Sequence, residues 1–329
     1  MGKGTKEMKV AIPHMGKYSE PIIKQLGDYL GWEVIVPHAP SQKTIELGTK
    51  YMQELMCLPA KVTMGTMIEA CQMGAEHLIM FDSCGQCRLK TYWILQERVL
   101  RLKMGFDVTV HPVRLGRESP GDIRRVDPSI PLWKAWWAFI KIMRLVNDLD
   151  KKWWVEVPEE SKMVKIGIVG EIYTILAPEV NKRLIEKVER LGALVHNSLP
   201  LSYFIFKGFY DRGWMKRRGI DRETYLAAKK KAHEYFPSEI GGHGIESLVH
   251  SIYYGMRGFD GVIHLAPFPC MPESTVAPVL DDISQDYKIP LMRLIFDAHT
   301  GEAGLDTRLE AFVDILQRRK NQRMRITQG

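Results

Sequence analysis

The sequence predicts an α/β protein of two Rossmann-like domains, each with a parallel sheet, and a cleft between them. Three observations carry this. Two segments far apart share one order of strand, loop, amphipathic helix and strand. Four further apolar runs are each separated from their neighbours by a helical pattern. The 329-residue length exceeds what one hydrophobic core normally organises.

The first paired segment is "MKVAIPHMGKYSEPIIKQLGDYLGWEVIVP" and the second is "MVKIGIVGEIYTILAPEVNKRLIEKVERLGALVHNS". In both, a near-continuous apolar run precedes a loop and then a 3.6-residue repeat, as buried parallel strands and surface helices require. Glycines in "YLGW" and "RLGA" stand where a left-handed helix cap belongs. The remaining strand candidates are "HLIMFD", "FDVTVHPV", "DGVIHLAP" and "IPLMRLIFD". Ligand chemistry in such sheets gathers at the carboxyl ends of the strands. The expected layout is a first domain over 8–125, a Trp-rich helical connector over 126–160, a second domain over 161–320 and a basic tail over 321–329. Five of the eight tryptophans fall within 131–154. Such a stripe is expected to pack against the other domain or a subunit rather than line a cofactor.

Composition excludes several classes. Hydrophobic residues are 45% and charged residues 26%, the balance of a soluble globular chain. No apolar run reaches the length of about 18 residues that reads as a membrane span. The start lacks the apolar region of a signal peptide, and Lys6 stands where a myristoylation pattern wants Ser or Thr. A cytoplasmic location is expected. There the five cysteines stay reduced, and their odd number fits that. The net charge of +7 concentrates in "DRGWMKRRGIDRETYLAAKKKAHEY" and "LQRRKNQRMRITQG". Without any DNA or RNA motif beside them, these runs read as solvated helix faces, and no nucleic-acid partner is expected.

The cysteines carry the chemistry. Cys57 precedes a helix that Pro59 helps to open, since proline suits a first turn. Cys84 and Cys87, in "FDSCGQCRLKTYW", follow the strand "HLIMFD". Cys270 follows "GVIHLAPFP" and precedes another helix. Cys71 lies within a helical stretch beside Met67 and Ile68 and reads as a core thiol. Helix amino ends favour thiolate, and converging thiolates select zinc or iron–sulfur over hard cations. A four-cysteine zinc site usually pairs two short C-x-x-C loops. One such loop with two isolated cysteines favours an iron–sulfur cluster. The alternative is a thiol–disulfide oxidoreductase working through Cys84 and Cys87, which leaves Cys57 and Cys270 without a role.

"ELMCLPAK", "SCGQCRLKTY", "DGVIHLAPFPCMPESTVAPVL" and "FDAHTGEAGLDTRLEAFVDIL" together resemble the iron–sulfur proteins of the 2-hydroxyacyl-CoA dehydratase superfamily. The resemblance is to its acyl-CoA dehydratase activase-related branch, relatives of the double-cubane-cluster proteins. It spans nearly the whole chain and is densest from Asp260 to Leu316. It implies a cubane cluster in the cleft, with Cys57, Cys84, Cys87 and Cys270 as ligands. It also implies an ATP-dependent activase as electron donor, a homologous subunit in a homo- or heterodimer, an acyl-CoA substrate and an anaerobic setting. Four placed cysteines match one [4Fe-4S] cluster. A double cubane would need cysteines from a partner subunit. In dehydratase relatives three cysteines hold the cluster and one iron stays open, which would leave Cys84 or Cys87 spare, Cys84 first. Family members often continue "C-R" with Phe or Tyr and Gly, where this chain has Leu89 and Lys90.

Residues beside the cysteines complete the reading. Arg88 follows Cys87 and is a candidate to compensate cluster charge, or a plain surface ion-pair partner. Glu273 is expected to cap its helix, with proton donation as its second reading. His14 ends the first strand and is a further acid–base candidate. "EIGGHGIES" around His243 and "GIVGEIY" are glycine-containing helix starts, too sparse for phosphate or dinucleotide fingerprints. The expected function is low-potential, activase-driven electron transfer as part of a dehydratase-like or reductase-like complex, a lyase or oxidoreductase component. A non-catalytic cluster-carrying subunit is the other alternative.

Overall fold

The structure is a computed structural model that describes residues 8–82, 87–114, 116–153, 158, 161–197, 199–202 and 220–328. It forms two compact units, residues 1–152 and 153–329. Each contains one four-stranded, all-parallel sheet, so the predicted α/β class with parallel sheets is what the chain adopts.

In the first unit, β1 (Lys9–Ala11) leads into α1 (Ser19–Leu30), which ends on Gly31 in the left-handed conformation, before β2 (Glu33–Ile35). Helices α2 (Gln42–Tyr51) and α3 (Leu58–Gln72) precede β3 (His77–Asp82). Helix α4 (Leu89–Arg98) runs on as a π-helical turn through Lys103 before β4 (Thr109–Arg114). The strand order is β2-β1-β3-β4. Helix α3 is buried along nearly its whole length, and it meets α2 backbone to backbone. A Cβ on Gly48 would lie 1.7 Å from the Lys61 carbonyl oxygen, and one on Gly65 would lie 2.0 Å from that of Thr44. Only glycine permits that approach.

Helices α5 (Ser119–Val126) and α6 (Leu132–Trp153) complete this unit. Residues expected to form a connector therefore include a helix that packs on the first unit. Lys134 Nζ donates to the Leu30 carbonyl, Lys141 lies over the Tyr29 ring, and Tyr18 donates to buried Asp150. Trp133, Trp136 and Trp137 are largely exposed on this helix. Trp154 lies outside the described residues.

The second unit repeats the plan. β5 (Val164–Gly170), α7 (Ile172–Leu176), α8 (Leu184–Arg190) and β6 (Ala193–Asn197) come first. Helices α9 (Arg222–Tyr235) and α10 (Gly244–Met256) precede β7 (Gly261–Pro267). Helix α11 (Met271–Asp286), β8 (Leu291–Phe296) and α12 (Glu302–Gln328) follow. The order is β6-β5-β7-β8, the same as in the first sheet. β5 and β7 are buried throughout, as strands covered on both faces must be. Residues 321–328, expected as a tail, continue α12. Part of the first basic run, 211–219, lies outside the described residues. No helix among the described residues is long and apolar enough to cross a membrane.

Candidate functional site

In each sheet the residues of interest gather where parallel α/β folds bind ligands, at the carboxyl ends of the strands and the amino ends of the helices. Cys57 is the N-cap of α3, extended at φ −63° and ψ 154°, with Pro59 in the first turn and no side-chain cap hydrogen bond. Its carbonyl accepts the first helical bond, from Ala60 N at 2.9 Å. Its thiol stands at the amino end of a fifteen-residue helix, where the aligned peptide dipoles favour thiolate.

Cys87 lies half-buried in the loop that leads from β3 to α4. Three contacts bring this loop and helix to the start of α3. Arg88 Nη2 donates to the Leu55 carbonyl at 3.2 Å. Gln96 Nε2, fully buried on α4, donates to Thr63 Oγ1 at 2.8 Å and to the Ala60 carbonyl at 3.4 Å. The buried Tyr92 hydroxyl makes no well-formed hydrogen bond. Burial first, then the neighbouring Cys57 thiol, push its pKa above the ordinary value. The loops of Cys57 and Cys87 are therefore tied together. Cys84 lies outside the described residues.

Asp82, the last residue of β3, belongs to the same edge. Its pKa is raised, chiefly by burial, against the pull of Arg114 and Lys90. Arg114, its partner across the strands, is clamped by Asp122 through Nε at 3.0 Å and Nη2 at 2.9 Å. His14 lies three residues beyond β1, between that strand and α1.

Cys270 is the N-cap of α11, again extended and again two residues before a helix-opening proline, Pro272. It follows β7, the third strand of its sheet, as Cys87 follows β3, the third strand of the other. The first turns of α10 and α11 meet closely, since a Cβ on Gly244 would lie 2.9 Å from the Pro272 carbonyl oxygen. His243 caps α10, and its Nδ1 accepts from Ile172 N at 3.4 Å. Beside it, buried Glu171 caps α7 by accepting from the backbone of Tyr173 and Thr174. Burial raises the Glu171 pKa against the attraction of His243.

Glu273 does not cap its helix, contrary to expectation. Its Oε2 accepts from Ser247 Oγ at 2.9 Å and lies 2.7 Å from His264 Nε2, while Oε1 is buried without a partner. Strand β7 and helix α10 draw the carboxylate inward, away from the amino end it was expected to cap. Cys71, as expected, is a core thiol, and burial pushes it up to about 12. Tyr92, Gln96, Asp82, Glu171 and His264 escaped the sequence reading. Only His264 carried a signal, a polar residue in the middle of an apolar strand.

None of the four described cysteines is in a disulfide. Among the described residues no group of three or more His, Cys, Asp or Glu side chains is spaced to hold a metal ion. In kind, the donors suit a soft metal. Cys57 and Cys87 share one edge, Cys270 stands at the matching place on the second sheet, and the remaining described thiol is sequestered in the core. No protein-family model and no curated protein matches this sequence.

Proposed function

We propose that the chain is an iron–sulfur protein of low-potential electron transfer, the electron-accepting part of a dehydratase-like or reductase-like complex served by an ATP-dependent activase. The observation that carries this is the shared placement of Cys57 and Cys270. Both cap helices at sheet edges, and the first is tied to the Cys87 loop through Arg88 and Leu55. Cys57, Cys84, Cys87 and Cys270 would hold a [4Fe-4S] cluster. When bound, such a cluster supplies one-electron transfer at a potential set by burial and by hydrogen bonds to its sulfurs. The helix amino ends would stabilise the thiolates, Arg88 adds positive charge at the same edge, and buried Tyr92 neighbours Cys57.

The reading predicts a second, homologous subunit and an acyl-CoA or comparably demanding electron acceptor. The test is iron and sulfide analysis of protein purified without oxygen. The wild type should be brown. Cys57→Ser, Cys87→Ser and Cys270→Ser should each lose most of the iron, while Cys71→Ser keeps it. A colourless wild type would overturn the cluster, and full iron retention in Cys270→Ser would overturn the ligand set. Turnover of an acceptor on adding activase and ATP separates a working enzyme component from a mere cluster carrier.

A further inference from the structure

Away from the cysteines, at the start of β3, two histidines face each other. His77 opens β3, and His111 lies on the adjacent edge strand β4. The register pairs His77 with Thr109 and His111 with Ile79, so the two are diagonal neighbours two residues out of step. Side chains alternate along strands, which places both rings on one face. Both are half-buried, and their facing atoms, His77 Nδ1 and His111 Nε2, are 3.0 Å apart. The rings are tilted by 34° with centroids 5.2 Å apart. Glu97 of α4 lies close enough to attract positive charge on His111, and it is held by accepting from Val110 N at 2.7 Å.

We propose that His77 and His111 form a binding site for a divalent transition-metal ion of the nickel–copper class. Metal–imidazole bonds are about 2.05 Å long, so two nitrogens 3.0 Å apart would subtend about 94° at a shared ion. That is close to the right angle between neighbouring positions of a square-planar or octahedral ion, and well short of the tetrahedral angle zinc prefers. The parallel ladder of β3 and β4 fixes both Cα positions, so little ordering remains to be done on binding. Without the ion, one ring donates its N–H to the other. On binding, that proton moves through solvent to the far nitrogen of the same ring, and both facing nitrogens become ligands with no net change of charge. Water fills the remaining positions, and Glu97, whose Oε1 lies 3.6 Å from Arg101 Nη1, supplies a nearby negative charge partly offset by that arginine.

The experiment is calorimetric titration of the full chain with Ni2+, which does not oxidise thiols as Cu2+ does. One site should weaken at least tenfold in both His77→Gln and His111→Gln and survive in the Cys57→Ser, Cys87→Ser double variant. Equal affinity in wild type and His111→Gln would overturn the proposal, as would a loss that follows the cysteines instead. Should the histidine variants fold poorly, crystals of the unaltered chain soaked in Ni2+ decide the matter by anomalous scattering. A peak within bonding distance of both facing nitrogens supports the site; no peak there refutes it.

Discussion

Cys57 and Cys270 close the same local motif in two different units: cysteine at the N-cap, an apolar residue, then proline in the first helical turn. The proline costs no hydrogen bond there, because the first amides of a helix have no partner within it. Its fixed φ helps set the direction in which the helix leaves the cap, and so where the cysteine stands. The repetition extends to topology. The two sheets share one strand order, and in each a cysteine-bearing loop follows the third strand. In the second unit the helix before that strand begins at His243, where the first unit has Cys57.

Gly65→Ala tests how strictly α3 is positioned. The new methyl would have to displace the Thr44 carbonyl, which lies 2.0 Å from its ideal position. Backbone cannot yield as a flexible side chain does, so α2 and α3 must separate. A loss of about 3 kcal/mol is expected in denaturant melts, at the upper end for overpacking. A loss below about 0.5 kcal/mol would show that this contact does not hold α3 in place.

Glu273 probes the polar cluster under Cys270. Replacing it with alanine strands Ser247 Oγ and His264 Nε2 in the core. That should cost about 2–4 kcal/mol, because unpaired buried polar groups carry their full desolvation penalty. Glu273→Gln keeps an acceptor for Ser247 and should cost less. Equal losses in the two variants would mean that neither the volume nor the acceptor that glutamine retains is what Glu273 contributes, and would overturn this account.

The strands were legible because burial on both faces forces continuous apolar runs. "HLIMFD" is β3 to the residue, and "FDVTVHPV" starts three residues before β4 does. The helix caps at Cys57 and Cys270 were legible because proline and the change of hydrophobic period are local signals. What escaped were partnerships between distant residues. Arg88 and Leu55 are 33 positions apart, Ser247 and Glu273 26, and His77 and His111 34. No spacing rule links them, since only the sheet register, the packing of α3 against α4 and that of α10 against α11 bring them together. Glu273 misled for a related reason. Its position favours capping, but Ser247, 26 positions away on α10, and His264, on the strand just before its helix, draw the carboxylate inward.

Arg88→Ala separates stability from site assembly. The lost bond to the Leu55 carbonyl is exposed, so the free energy of unfolding should fall by no more than about 1 kcal/mol. One of the three contacts that tie the Cys87 loop and α4 to the start of α3 would be lost, and if the proposed cluster is present, iron should leave several-fold faster when a chelator is added to protein prepared without oxygen. An unchanged rate of iron loss would remove Arg88 from the site.

The last prediction concerns pH. Burial pushes His196 down to about 4, and burial together with nearby His196 pushes His250 down to about 3. Tyr254 anchors the first, donating to the His196 carbonyl at 2.9 Å with its oxygen 3.1 Å from His196 Nδ1. Both folded-state values lie below the ordinary 6.5, so the unfolded chain binds more protons and stability rises with pH. Their contribution is fully present above pH 6.5 and is lost as the pH falls toward 3–4. Raised carboxyl pKa values, as at Glu171, act in the opposite sense, so total stability does not isolate the histidines. The difference between wild type and His250→Leu does. Between pH 7 and pH 5 one such histidine should account for roughly 2 kcal/mol, and the variant should show a correspondingly shallower dependence in denaturant titrations. Parallel curves for the two proteins would mean that His250 already titrates in the folded state near its ordinary value, and that its burial is not maintained in solution.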